Sequence, residues 1–238
     1  MNNYLNEDFI AYLGGKKIFD VSDVCQFFSK LEPDISHSTV DWRIYTLVQK
    51  GIMKRVGRGR YCLGKANLFQ PELSPQMIEV ARYIRKEFPY TNFCVWELAL
   101  VNHFSHHLVN FNILFVDVER DATDAVYYKL KEKERLIVHI RKTYDTISDL
   151  AGNICIRPLV TGAPAREWEQ TPVASLEKIL VDLATDKEFF PFQGNVLFSI
   201  YESAFDRYTI NENTLLRYAS RKGKKVYIQE CIKSIKRQ

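Results

Sequence analysis

Residues 36–63 read SHSTVDWRIYTLVQKGIMKRVGRGRYCL, and the folding of this stretch decides the first part of the chain. Val40, Ile44, Leu47 and Val48 fall at i, i+4, i+7 and i+8, the spacing of one side of an α-helix. The opposite side carries Ser38, Trp42, Tyr45 and Gln49, with Thr39 and Thr46 flanking and Arg43 at its margin. Ser36 is placed to cap the first turn, and Gly51 follows Lys50 where a left-handed residue ends a helix. Residues 52–56 (IMKRV) then predict a strand, 57–60 (GRGR) a tight turn and 61–63 (YCL) the returning strand. A helix followed at once by a basic hairpin is the pattern of a winged helix-turn-helix, and it points to DNA.

Upstream, residues 2–13 predict a short amphipathic helix with Tyr4 or Leu5, Phe9 and Leu13 on one side, stopped by Gly14-Gly15. Ile18-Phe19 suit a small strand that pairs with the hairpin. Asp20 and Asp23 form a box-like cap for a second helix whose stripe is Val21, Val24, Phe28 and Leu31. Downstream, the Gly- and Pro-bearing residues 67–76 read as a linker. Beyond it the expectations are a helix at 77–88, a strand or helix start at 93–96, a strand at 110–118 and a helix from Asp121 to Lys131. Strands at 135–140 and 154–160 follow. Thr171-Pro172 reads as an N-cap and first helical residue for a helix to about Thr185, with Leu176, Ile179, Leu180 and Leu183 as its stripe. Helices are expected at 195–205 and 213–220, and the segment from Lys224 reads equally as strand or helix. The expected fold class is therefore α+β: a winged helix-turn-helix at 1–66, then a larger mixed α/β domain at 77–238 with C-terminal helices.

Charge is distributed unevenly. Between residues 50 and 65 lie Lys50, Lys54, Arg55, Arg58, Arg60 and Lys65 and no acid, while 217–238 hold eight basic residues and one acid. The intervening 71–216 carry 15 basic residues against 21 acidic ones. Two basic regions around an acidic middle suit contact with a polyanion at defined places, and the tail (Arg217, Arg221, Lys222, Lys224, Lys225) is a candidate second phosphate contact. No apolar run approaches the ~20 residues that span a bilayer. MNNYLNEDF lacks a basic-then-apolar leader, which predicts a cytoplasmic protein. Cys25, Cys62, Cys94, Cys155 and Cys231 are odd in number and form no CxxC pair, so they read as reduced thiols.

The side chains expected to meet DNA follow from the groove chemistry. Ser38, Thr39, Trp42, Arg43, Tyr45 and Gln49 offer hydroxyls, an amide and a guanidinium to base edges or phosphates. Lys54, Arg55, Arg58 and Arg60 would grip the backbone beside them. Asp41 would be repelled by phosphate, so it reads as orienting Arg43 or capping locally. For Trp42 two roles stand open, contact with thymine methyls or cover for a neighbouring helix.

From Leu47 to Leu63 the phrase LVQKGIMKRVGRGRYCL resembles the N-terminal domain of AbiEi-like antitoxins, those of the AbiE abortive-infection, or type IV, toxin–antitoxin systems. Gly51-Ile52, Arg55, Arg58-Gly59 and Tyr61 fill that domain's turn, basic hairpin and closing positions. Residues 171–194 (TPVASLEKILVDLATDKEFFPFQG) are similar to a later stretch of such antitoxins, with Glu177, Lys178 and Asp182 on the matching positions. Residues 210–224 look like their closing helix. The resemblance implies a bacterial autorepressor that binds an inverted-repeat operator as two copies and opposes a nucleotidyltransferase-like toxin. It carries over neither a direct toxin contact nor a neutralising residue.

Rival chemistry finds less support in the residues. Asp117 and Glu119 are spaced like a metal-binding carboxylate pair of a nucleotidyltransferase, but no Gly-Ser turn precedes them, so a solvated strand end is expected. His103, His106 and His107 form HxxHH without a nearby third ligand. Glu177, Lys178 and Asp182 share one helix, whereas a nuclease core needs them on paired strands, and an exposed face with local pairs is expected. No P-loop, GxSxG or dinucleotide fingerprint occurs, so no catalytic, cofactor-binding or metal-ligating residue is assigned and no enzyme is expected. The remaining alternative is a winged-helix module for protein contact or ligand sensing.

Overall fold

A computed structural model describes all residues but 1–2, 14–15, 17, 65–67, 106–108, 134–135, 140–146 and 237–238. Gly14-Gly15, Lys65, His106, His107, Arg135 and Ile140 lie outside the described residues, as do the side chains of Tyr4 and Leu5. The fold is α+β, and the chain divides into two compact units, residues 1–68 with 207–213 and residues 69–206 with 214–238.

The first unit orders its elements as α1 (Asn3–Leu13), β1 (Phe19–Asp20), α2 (Val21–Leu31), α3 (His37–Gln49), β2 (Met53–Gly57) and β3 (Arg60–Leu63). Phe9, Leu13, Phe19, Val24, Phe27, Phe28, Val40, Ile44, Leu47, Met53 and Tyr61 form its core. Leu31, expected in the α2 stripe, is 49% exposed, and Phe27 takes the buried place instead. Asp20 accepts from the Asp23 backbone N–H and Asp23 accepts from that of Asp20, a complete capping box. Ser36 accepts from the Thr39 N–H and so starts α3. Gly51, at φ 70°, lets the chain leave that helix. β1 pairs antiparallel with β3 (Phe19 with Tyr61), and β3 with β2, through a bulge between Arg55 and Gly57.

The second unit is built on a six-stranded sheet in the order β6-β7-β5-β4-β9-β8. Its helices and strands run α4 (Pro75–Glu87), β4 (Phe93–Glu97), β5 (Leu114–Glu119), α5 (Thr123–Lys133), β6 (Ile137–His139), β7 (Ile154–Leu159), β8 (Ala165–Trp168), β9 (Thr171–Ala174), α6 (Leu176–Thr185), α7 (Asn195–Arg207), α8 (Glu212–Arg221) and α9 (Lys225–Lys236). α4 and α5 pack through Val80, Ile84, Val126 and Leu130 against Val95, Val116 and Ile156 on one sheet face. Because side chains alternate along a strand, Trp96, Phe115, Asp117, Cys155 and Arg157 belong to the other face. Among the described residues no helix is long and apolar enough to cross a membrane.

One expectation is corrected here. Thr171-Pro172 does not start a helix: residues 171–174 are strand β9, buried throughout, between β4 and β8. α6 starts only at Leu176, with Ser175 accepting from the Lys178 N–H. β8 and β9 form a hairpin absent from the sequence reading, closed by Glu169 (φ 46°) and Gln170 (φ 61°). The ambiguous tail from Lys224 is helical.

Candidate functional site

The residues expected to meet DNA sit on the first unit. Trp42 is 63% exposed and Tyr45 61%, while Val40, Ile44 and Leu47 of the same helix are buried. Ser38 and Gln49 are also exposed, and Thr39 is half-buried. The Ser36 hydroxyl lies 2.9 Å from that of Ser38 and 2.8 Å from that of Thr39. Trp42 therefore keeps most of its surface in solvent. Arg43 is engaged within the unit: it donates to Glu32 at 2.6 Å and stacks 4.6 Å above the Phe28 ring centre. Glu32, not Asp41, orients it. Arg55, Arg58 and Arg60 are exposed and Lys54 is half-buried. Arg55 Nε donates to the Gly57 carbonyl at 3.1 Å across the bulge, which folds that side chain back along its own strand.

The second unit holds a group of charged side chains that sequence reading left scattered or placed on the surface. Asp117 of β5 and Arg157 of β7 are register partners on adjacent parallel strands, so the sheet itself sets them side by side. Arg157 donates through Nε to Asp117 Oδ1 at 2.7 Å and through Nη2 to Asp117 Oδ2 at 3.0 Å, a two-pronged pair. Its Nη2 also reaches Asp182 at 3.2 Å, and its Nη1 reaches Glu188 at 3.0 Å. Lys178 Nζ lies between Asp117 (2.5 Å) and Asp182 (2.6 Å), and Trp96 Nε1 donates to Asp117 at 3.1 Å. Tyr218 and Lys222 of α8 each donate to Asp182 Oδ1 at 2.8 Å, and Lys222 pairs with Asp186 as well. The guanidinium stacks 4.5 Å from the Phe115 ring centre, with Trp96 and Phe189 beside it.

Burying ions is costly unless each is paired and hydrogen-bonded, and the electrostatics show the pairing at work. Burial alone would raise the pKa of Asp117, but Arg157 and Lys178 outweigh it and hold the carboxyl below the usual range. The same contest, with Lys178, Lys222 and Arg157 as winners, keeps Asp182 ionised to well below ordinary aspartate values. Burial works against the charge of Arg157 and Lys178, yet the surrounding carboxylates raise both well above normal. Asp186 behaves oppositely: burial and the nearby Asp182 charge push it up to about 6, against Arg157 and Lys222. Lys178 is thus held as a cation and is unsuited to act as a nucleophile.

The cluster overturns two expectations. Asp117 is not a solvated strand end, being 2% exposed under Arg157 and Lys178, and Glu119 is taken up by the Asn92 amide groups. Lys178 and Asp182 do not form an exposed helix face, since each is 1% exposed, whereas Glu177 is half-buried. Arg157, Tyr218 and Lys222 were missed as partners because they come from elements far apart in the chain, and Asp186 and Glu188 because their spacing does not show that the turn after α6 faces the cluster. The available signal was chemical: a single Asp in LFVDV, a single Arg in ICIRPL, and Lys178 and Asp182 four apart inside a helix otherwise buried all round. Over the cluster opens a cavity of about 370 Å³, whose lining includes the apolar Pro158, Leu159 and Val160. Burial drives the Cys94 and Cys155 thiols up to about 12, which leaves them inert at neutral pH.

No curated protein matches the chain. A model described as "Family of unknown function (DUF6577)" matches residues 39–238, a span from the first turn of α3 through the hairpin and the whole charged cluster, and the chain belongs to that family.

Proposed function

We propose that the protein is a sequence-specific DNA-binding transcriptional regulator whose first unit is a winged helix-turn-helix. The observation that carries this reading is the division of α3: Val40, Ile44 and Leu47 face the core, and Trp42, Tyr45, Ser38 and Gln49 stay in solvent beside the exposed Arg55, Arg58 and Arg60. A helix with an apolar inner side and a hydrogen-bonding outer side enters a major groove without unfolding anything, and a cationic hairpin next to it neutralises phosphate. Arg43 contributes by fixing α3 to Glu32, and its N–H groups other than the one on Glu32 remain the candidates for a phosphate at the helix margin.

In this reading the protein serves as the autorepressor and antitoxin of a type IV operon, cytoplasmic, without a catalytic step of its own, and bound as two copies to an inverted repeat. The support is the resemblance of residues 47–63 and 171–194 to AbiEi-like antitoxins. A nucleotidyltransferase-like gene beside this one, whose toxicity co-expression suppresses, is the expected genetic setting.

Fluorescence anisotropy with the DNA upstream of the protein's own operon tests the binding. Each lost phosphate contact lowers the slope of log K against log salt by about one unit. Arg58→Ala with Arg60→Ala is therefore expected to weaken binding to all sequences alike and to reduce the slope by about two units. Unchanged binding by the double variant at low and high salt rejects the wing assignment.

A further inference from the structure

The cavity over the charged cluster is bounded by four carboxylates, Asp117, Asp182, Asp186 and Glu188, against three cations, Arg157, Lys178 and Lys222. One negative charge is left over. The donors are committed: all three nitrogens of the Arg157 guanidinium face carboxylates, and Lys178 is held between Asp117 and Asp182. Acceptor capacity is not. Glu188, its side chain 8% exposed, takes Arg157 on Oε1, and its Oε2 accepts no hydrogen bond among the described residues. Asp186 Oδ2 meets Arg157 only at 3.5 Å. Both oxygens are open to solvent rather than sealed in the interior, so a donor placed in the cavity can reach them. Among the described residues no group of three or more His, Cys, Asp and Glu is placed to hold a metal ion.

We propose that this cavity binds a small organic monocation, a guanidinium or primary ammonium on a short apolar stem. The head donates to Glu188 Oε2 and Asp186 Oδ2 and supplies the missing positive charge, and the stem lies along Pro158, Leu159 and Val160. At about 370 Å³ the space is of ligand-pocket size. The inference is independent of the DNA-binding reading. A proton competes with the ligand: Asp186 is faced by Asp182 and Thr185 of its own helix, Arg157 of β7, Glu188 of the following turn and Lys222 of α8, and it titrates at about 6. Once protonated it balances the cluster and removes an acceptor, so binding weakens in acid.

Isothermal titration calorimetry on the full chain at about pH 8 decides the matter, with butylguanidinium as the cation, pentanol as a neutral counterpart and butyl phosphate as an anion. Butylguanidinium is expected to bind at least about tenfold more tightly than either, the size of effect one charge-assisted hydrogen bond provides. Lowering the pH to about 5 should reduce its affinity by about tenfold, following the protonation of Asp186. Glu188→Gln and Asp186→Asn, both near-isosteric, should each lose about tenfold while the circular dichroism spectrum stays that of the wild type. The probe comparison itself needs no variant. Equal binding of pentanol, preferential binding of butyl phosphate, or no binding of butylguanidinium at millimolar concentration each overturns the proposal.

Discussion

Lys178 in the first turn of α6 and Asp186 at its C-terminal cap face the same cluster, yet burial treats their charges differently. Lys178 is a fully buried cation made tolerable by two carboxylates, whereas Asp186 is an anion made uncomfortable by its neighbour Asp182. An aspartate whose folded pKa lies near 6, above the unfolded value of about 3.9, favours folding while protonated. Its contribution is complete below about pH 4 and is lost as the pH rises through 6. Asp186→Asn, which mimics the protonated form, should therefore stabilise the protein at pH 8 by about 2 kcal/mol, the side chain being only 22% exposed. The gain should vanish near pH 4. Urea unfolding of both forms at the two pH values measures it.

Among the elements, the β8–β9 hairpin is the one that runs against its own local chemistry. Its two-residue loop needs positive φ at both positions, a geometry that suits Asn-Gly, and the chain supplies Glu169 and Gln170. The strain is met by tertiary anchors: Arg85 of α4 donates to the Gln170 carbonyl at 2.8 Å and to Glu167 at 2.6 Å. Replacing Glu169→Asn and Gln170→Gly together should stabilise the protein by about 1 kcal/mol, because each left-handed non-glycine residue costs on that order. A thermal melt reads this as a rise in Tm of a few degrees, and a fall in Tm refutes the assigned turn. The same mismatch hid the hairpin from sequence reading, since no turn dipeptide marks it and Pro172 argues for a helix start.

For the molecule as a whole the charged cluster predicts an unusual pH optimum. Asp117 and Asp182, held below the ordinary carboxylate range, contribute stability above about pH 4 that is lost as the pH falls through their folded values. Asp186 subtracts stability as the pH rises towards and past 6. Maximum stability should therefore lie between about pH 4 and 6, in acid relative to neutrality. Urea midpoints at pH 3, 5 and 8 should peak at pH 5, and in Asp186→Asn the decline from 5 to 8 should shrink or disappear. A flat profile would mean that the cluster's charges are decoupled from folding.

Read alone, the sequence determined the first unit nearly throughout, because its structure is written in local terms. Helix stripes, the Asp20–Asp23 box, the Ser36 cap and the Gly51 stop each act within a few residues, and so does the basic turn that leaves Arg58 and Arg60 in solvent. It also placed β7, and β5 except for its start, which comes at Leu114 and not at residue 110. Only the tertiary structure decided that β9 is a strand, because the pairing partners that override Pro172 come from β4 and β8. Only the tertiary structure, too, turned Asp117, Arg157, Lys178, Asp182 and Lys222 from separate charges into one buried network. Ion pairing acts through space over a few ångströms, and the strand register and helix packing that bring these residues so close are invisible in their spacing along the chain.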